Sequence, residues 1–276
     1  MVSNSMPSEW LTSAEAASLL GVSASTVKRW VDAGELDSER TEGGHRRIRR
    51  VALELFRARL SGADPATQGP AAQLVELLLS DAAAQQIEAR LLELRGKAGS
   101  ASALGDWLAP ALASIGERWQ SGRISILEEH FASERLGRAL ARLAEWIPVS
   151  EGAPRALLAT AQGDDHTLGL SMCELVVREA GWATLWAGRN TPPHDLAELV
   201  RSGGRQISMV LISASITSQD RRALALQERM LGAVCREAGA QLVMGGQGAW
   251  PERPRVGRLV RDLRELETLA RELRRR

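Results

Sequence analysis

Five short apolar runs, at 156–161, 183–186, 209–212, 242–244 and, more weakly, 259–260, alternate with helical-period segments at 167–180, 193–202, 220–238 and 263–275. Strands buried on both faces read as continuous apolar runs, and the helices between them are the crossovers that parallel pairing needs. The alternation predicts a doubly wound, mostly parallel, Rossmann-like α/β sheet over 150–276. Such a sheet binds ligands beyond the carboxyl ends of its strands, so the loops after the apolar runs are where chemistry is to be sought.

The loop after the first run is Gly163-Asp164-Asp165-His166-Thr167-Leu168-Gly169, which contains Asp-x-His-x-x-Gly: Asp164, His166 and Gly169. A neutral imidazole is a transition-metal ligand. A carboxylate two residues upstream can accept the other ring N–H, fixing the tautomer and raising ligand basicity. Gly169 lets a bulky planar ligand come close to the backbone. The residues alone leave two other readings open: a surface loop with an isolated His, and a zinc site, although no Cys or second His lies within the loop. Ser213-Ala214-Ser215 and Gly245-Gly246-Gln247-Gly248 end two later runs and are expected at the same sheet edge. By itself the glycine-rich segment fits any nucleotide or phosphate loop.

At the other end of the chain, residues 1–8 read as a disordered leader. Thr12-Ser13-Ala14-Glu15 is a capping box opening a short helix to Leu20. Gly21-Val22 makes a turn, and Ser23 caps a second helix that ends near Gly34. This is a helix-turn-helix pattern. Its second helix is expected to expose Ser25, Thr26, Lys28 and Arg29 around Val27 and Trp30 or Val31, donors suited to phosphates and base edges. A hairpin tip at Gly43-Gly44 follows, then His45, Arg46 and Arg47. Seven arginines lie between Arg40 and Arg59 against Glu42 and Glu54, which suits a wing tracking the phosphate backbone. A solvated basic face is the plainer alternative. The expected domains are 1–60 as an all-α winged head, 61–70 as a linker of Ser/Gly/Pro composition, and 71–149 as helices only.

Within that helical stretch the periodicity predicts helices at 74–79, at 82–94 ending near Gly96 with Ile87, Leu91, Leu92 and Leu94 inward, at 103–120, and from a capping box at Ser125-Ile126-Leu127-Glu128 to Trp146. Four short-looped helices predict an up-down four-helix bundle. Trp119 falls in the last turn of the third helix, and Glu129 and His130 in the second turn of the fourth. Ser133 and Gly137 continue the His130 face with small residues, leaving room for something bulky. An ordinary core Trp beside a solvated Glu-His pair is the plain alternative.

The Asp-x-His-x-x-Gly loop resembles the lower-ligand loop of methionine-synthase-type cobalamin proteins. With Trp119, nine intervening residues and Glu129-His130, and with the Ser213 and Gly245-Gly246 loops, residues 72–276 resemble the CarH family of light-responsive, adenosylcobalamin-dependent repressors. The helix-turn-helix with Gly-Gly-His-Arg resembles the MerR family. The resemblance implies that His166 is the lower axial cobalt ligand. It also implies that Trp119, Glu129 and His130 cover the upper face against the adenosyl group. The nucleotide tail would enter between the Ser213 and Gly245-Gly246 loops, with Ser215 standing where relatives often carry Leu. In the family the dark form is a homotetramer bound to double-stranded operator DNA, which light disassembles. Light-sensing members carry a second His directly after the Trp. Here that residue is Gln120, a poor cobalt ligand, so the two-histidine photoproduct is not expected in the usual way.

The chain is long enough for up to three domains and its net charge is +1, so no bulk polyelectrolyte is implied. Cys173 and Cys235 read as reduced, buried thiols of a cytoplasmic protein. No signal peptide or membrane-spanning run is apparent. Eight tryptophans with no tyrosine imply that some cover a flat partner. No nucleophile with a base partner stands out, so a non-enzyme is expected. The alternatives are a corrinoid methyl-carrier protein of a methyltransferase system and a regulator that has lost its cofactor.

Overall fold

A computed structural model describes residues 10–20, 22–40, 46–50, 52–53, 56, 69–203 and 206–275. The leader, the hairpin tip with His45, and most of the linker lie outside these residues. The chain divides into two compact units: Met1–Glu76 with Asp106–Arg118, and Leu77–Gly105 with Trp119–Arg276.

In the first unit, α1 (Ser13–Leu20) and α2 (Ala24–Asp32) form as the caps require. Thr12 N–H donates to Glu15 Oε2 at 2.7 Å and Glu15 N–H to Thr12 Oγ1 at 3.2 Å. Ser23 Oγ accepts from Thr26 N–H at 3.2 Å, and Gly34 closes the C-terminus at φ +73°. The expectation of an all-α head is corrected. β1 (Trp10–Thr12), β2 (Glu39–Arg40) and β3 (Arg46–Arg49) form an antiparallel sheet in the order β1-β3-β2. Leu11 sits opposite Ile48, and both are buried with Ala16, Val27, Leu36 and Phe56. An Arg-rich strand with one apolar residue has almost no period-2 signal of its own. Its pairing with β1 is non-local and comes from burying Ile48.

Four helices follow: α3 (Pro70–Leu79), α4 (Ala84–Ala98), α5 (Ala101–Gln120) and α6 (Ile126–Glu145). Pro70, expected in the linker, is the first residue of α3, where a missing N–H costs nothing. α4 runs past Gly96 and stops at Gly99, whose φ of +84° supplies the left-handed cap. Leu92 faces outward rather than inward, at 39 % exposure. α4 and α6 pack together, joined by Arg142 Nη1–Glu88 Oε1 at 2.8 Å. Arg135 of α6 donates to the carbonyls of Leu78, Ser80 and Ala82, satisfying the end of α3 and the turn after it.

The second unit also holds a five-stranded parallel sheet: β4 (Arg155–Thr160), β5 (Ala183–Gly188), β6 (Ile207–Ser213), β7 (Gln241–Gly245) and β8 (Arg258–Leu259), ordered β5-β4-β6-β7-β8. Its helices are α7 (Leu168–Glu179), α8 (Pro193–Arg201), α9 (Arg221–Ala238) and α10 (Leu263–Arg274). Leu157, Ala159, Val210, Ile212 and Met244 face α8 and α9 in one core. Ala156, Leu158, Met209, Leu211 and Val243 are buried on the other face, the side of α7. Burial on both faces is what the unbroken apolar runs encode. Strand order reverses between β4 and β6, which makes the carboxyl ends of those two strands the topological switch point. Among the described residues no helix is long and apolar enough to cross a membrane.

Candidate cofactor site

The loops after β4 and β6 meet at this switch point around Asp164. Its side chain is fully buried, while that of His166 is 62 % exposed. Asp164 Oδ1 lies 3.0 Å from His166 Nδ1 and accepts the His166 backbone N–H at 2.9 Å. From the β6 loop, Ser215 N–H and Ser218 Oγ donate to Oδ2, the latter at 2.8 Å, and Ser215 Oγ donates to Oδ1 at 3.1 Å. Burial alone would push this carboxyl up. The donors from Ser215, His166 and Ser218 outweigh it and hold the carboxyl at about 2. An ionised carboxylate beside Nδ1 fixes the proton there and leaves Nε2 as the outward nitrogen, which has no protein partner among the described residues. Ser218 was not legible as a site residue. Its place in the turn Ser215-Ile216-Thr217-Ser218 is the only local signal.

The remaining loops line the same edge. A Cβ added at Gly169 would meet Ser213 Oγ at 3.6 Å. Ser213 is buried as a residue, and its hydroxyl has no partner among the described residues. Gly245 and Gly246, expected to give space to a ligand, also pack closely against their neighbours. At Gly246, φ is +88° and an added Cβ would lie 2.2 Å from the Ala214 carbonyl oxygen. At Gly245 it would lie 3.2 Å from Val260 Cγ2. These glycines let the β7 loop close on Ala214, sealed by Gly248 N–H to Ala214 O at 2.9 Å.

On the helical side, Trp119 is 44 % exposed at the end of α5, followed by exposed Gln120. Ser125 and Glu128 close the expected capping box, with Ser125 N–H donating to Glu128 Oε2 at 2.7 Å. Glu129 Oε1 accepts from Ser133 Oγ at 2.7 Å, and Glu129 Oε2 lies 3.6 Å from the exposed His130 Nε2. The room expected at Gly137 is partly filled: its Cβ position lies 3.5 Å from Leu168 Cδ2, at the start of α7. The His130 face of α6 is therefore continuous with a direct contact onto the helix that follows the His166 loop.

Of the residues expected at DNA, Ser25, Lys28 and Arg29 are exposed on α2. Thr26 is half-buried, its Oγ1 2.8 Å from Ser23 Oγ. Arg46 is paired with Asp32 at 2.6 Å, Arg47 is half-buried, and His45 lies outside the described residues.

The chain matches two family models: "Helix-turn-helix domain" over residues 10–61 and "B12 binding domain" over residues 72–144. Among curated proteins it is similar to the HTH-type transcriptional repressor CarH of Myxococcus xanthus, 31 % identical over 93 residues, 34 % of this chain and 31 % of that one. It is also similar to the repressor CarA of the same organism, 30 % identical over 31 % of this chain and 28 % of that one. These likenesses agree with the resemblance to the CarH family, and the chain matches them over less than a third of either relative's length. In fold it is similar to the Methanosarcina barkeri monomethylamine corrinoid protein, with a TM-score of 0.55 at 14 % identity, covering 75 % of this chain and 99 % of that one.

The donor set fits a cobalt corrinoid. Such a group carries most of its own donors, so a single imidazole from the protein would be enough, and His166 offers one with Nδ1 already held. A protein-only zinc site would need more: among the described residues no three His, Cys, Asp or Glu groups gather to hold a metal ion. Burial pushes the thiols of Cys173 and Cys235 up to about 12, so neither is a ready thiolate.

Proposed function

We propose that this chain is an adenosylcobalamin-dependent, light-responsive transcriptional regulator that represses by binding operator DNA in the dark. The observation that carries the reading is the buried, ionised Asp164 holding an exposed His166 ring at the switch point of the sheet. The helix-turn-helix match and the likeness to two repressors support the DNA-binding part.

In this reading His166 would hold the cobalt, and Asp164, with Ser215 and Ser218, would keep its Nε2 free of a proton. Gly169, Ser213, Gly245 and Gly246 would border the entry for the nucleotide tail. Trp119, Glu129 and His130 would cover the adenosyl group. When bound, adenosylcobalamin supplies a cobalt–carbon bond that visible light cleaves. The lid helices read the presence of the adenosyl group by differential affinity between two arrangements, and one of these favours a homotetramer. Four linked heads then bind repeated DNA half-sites with avidity, through Ser25, Thr26, Lys28, Arg29, His45, Arg46 and Arg47. The chain works as a cytoplasmic sensor, not an enzyme. Gln120 offers no second imidazole at the upper face, so the illuminated protein differs spectrally from two-histidine members, and Gln120→His converts it.

The test is oligomer size and DNA affinity with adenosylcobalamin, before and after green light, alongside visible spectra of the parent and His166→Ala. Dark assembly with tight DNA binding, both lost on illumination, is expected. A His166→Ala protein with parental affinity and spectrum would remove the reading. A preference for methylcobalamin with no change in DNA binding would favour the methyl-carrier alternative.

A further inference from the structure

The loop bearing His166 is also held from behind, by side chains outside its own motif. Asn190, in the turn between β5 and α8, accepts the Gly163 N–H through Oδ1 at 2.6 Å. Its backbone N–H points to Thr160 Oγ1 at 2.8 Å and to the Asp164 carbonyl at 3.2 Å. Thr160, the fully buried last residue of β4, donates its hydroxyl to that same carbonyl. From α9, Gln227 Oε1 accepts the Gln162 N–H at 3.3 Å. The Gln162 N–H, the Gly163 N–H and the Asp164 carbonyl are therefore all held by side chains or backbone of β4, α9 and the turn after β5. Asn190 itself sits at φ +51°, a left-handed conformation that Asn and Asp tolerate better than other residues with a side chain.

We propose that Asn190, working through Thr160, is a positioning residue that sets the height and tilt of His166 toward its ligand. Neither residue touches the imidazole. Together they hold the Gly163 N–H and the Asp164 carbonyl, the peptide groups on either side of the Gly163–Asp164 link, and the Asp164 carboxylate and the His166 ring follow from there within two residues. The clamp ties the turn after β5 to the end of β4, on the β5 side of the switch point, so it keeps the lower ligand in place whatever the helical lid does. The inference rests on His166 being the cobalt ligand.

The test uses the full chain with two probes: adenosylcobalamin titrated for affinity, and bound cob(II)alamin examined by electron paramagnetic resonance. Nitrogen splitting of the cobalt lines reports an axial imidazole, and nitrogen-15 labelling of histidine separates His166 from the cofactor's own base. Asn190→Gly relaxes the backbone but loses the acceptor. It is expected to bind adenosylcobalamin about ten-fold more weakly and to lose histidine splitting from part of the signal. Asn190→Asp keeps both the acceptor and the conformation and is expected to behave as the parent. Thr160→Val should follow the glycine variant and Thr160→Ser the parent. Asn190 is exposed, so its variants fold as the parent does. Parental affinity and splitting in Asn190→Gly would overturn the clamp, as would equal losses in Asn190→Gly and Asn190→Asp. His166→Ala separates the two levels. If it keeps the histidine splitting, the ligand assignment itself falls. If it loses the splitting while Asn190→Gly does not, only the clamp falls.

Discussion

Replacing Asp164 by Asn has the most calculable outcome. The carboxylate is fully buried and ringed by the Ser215 and His166 N–H groups and the Ser218 and Ser215 hydroxyls. Burial raises its pKa, but these donors prevail and set it at about 2 against 3.8 for a free carboxyl. A group with a depressed folded pKa adds stability above its unfolded pKa and loses it as pH falls through the folded one. The gap is worth about 2 kcal/mol above pH ~5, roughly half of which is lost by pH ~3. Asn cannot ionise, and its NH2 must face a donor. Asp164→Asn is therefore expected to be about 2–3 kcal/mol less stable than the parent near neutral pH. That deficit should shrink by about 1 kcal/mol on going to pH ~3. Urea unfolding followed by circular dichroism, at matched pH for both proteins, measures it. Subtracting one protein from the other cancels the remaining carboxylates. A deficit that stays constant from neutral pH to pH ~3 would refute the claim that these donors hold Asp164 ionised.

Gly246→Ala forces a Cβ to within 2.2 Å of a backbone oxygen at φ +88°, so a loss of about 3 kcal/mol is expected in the same unfolding assay. Ser125→Ala removes the acceptor of the Glu128 N–H and is expected to cost about 1 kcal/mol. Faster hydrogen exchange over 126–130 would show the lid helix fraying at Glu129 and His130. Trp182→Phe deletes the buried bond from Nε1 to the Ala270 carbonyl at 3.0 Å and should cost about 1–2 kcal/mol, read as a lower urea midpoint.

The sheet was legible because both of its faces are buried: apolar runs at 156–161 and 209–212 predict β4 and β6 to within a residue or two at each end. Helix starts were legible where a side chain caps them, as at Thr12, Ser23 and Ser125. Stops were harder, because Gly96 and Gly99 look alike in sequence and only the second takes a positive φ. In the head a hairpin was signalled by Gly43-Gly44, but β1 was missed, since its partner β3 is Arg-Arg-Ile-Arg and lies more than thirty residues away. At the site, Asp164 and His166 were found through their spacing. Ser218, Thr160 and Asn190 were not, because each reaches the loop from another element, and nothing local in Gly-Arg-Asn-Thr-Pro-Pro announces a carboxamide aimed at Gly163.

The bare flank of α6 at Gly137 sets how near that helix comes to α7, because even a lone Cβ there would lie 3.5 Å from Leu168 Cδ2. His130 lies seven residues to one side of this point, about 10 Å along the axis, and Glu145 lies about 12 Å to the other. A branched side chain at 137 would wedge the two helices apart between the His130 end and the end where Arg178 grips the Ile147 carbonyl at 3.2 Å.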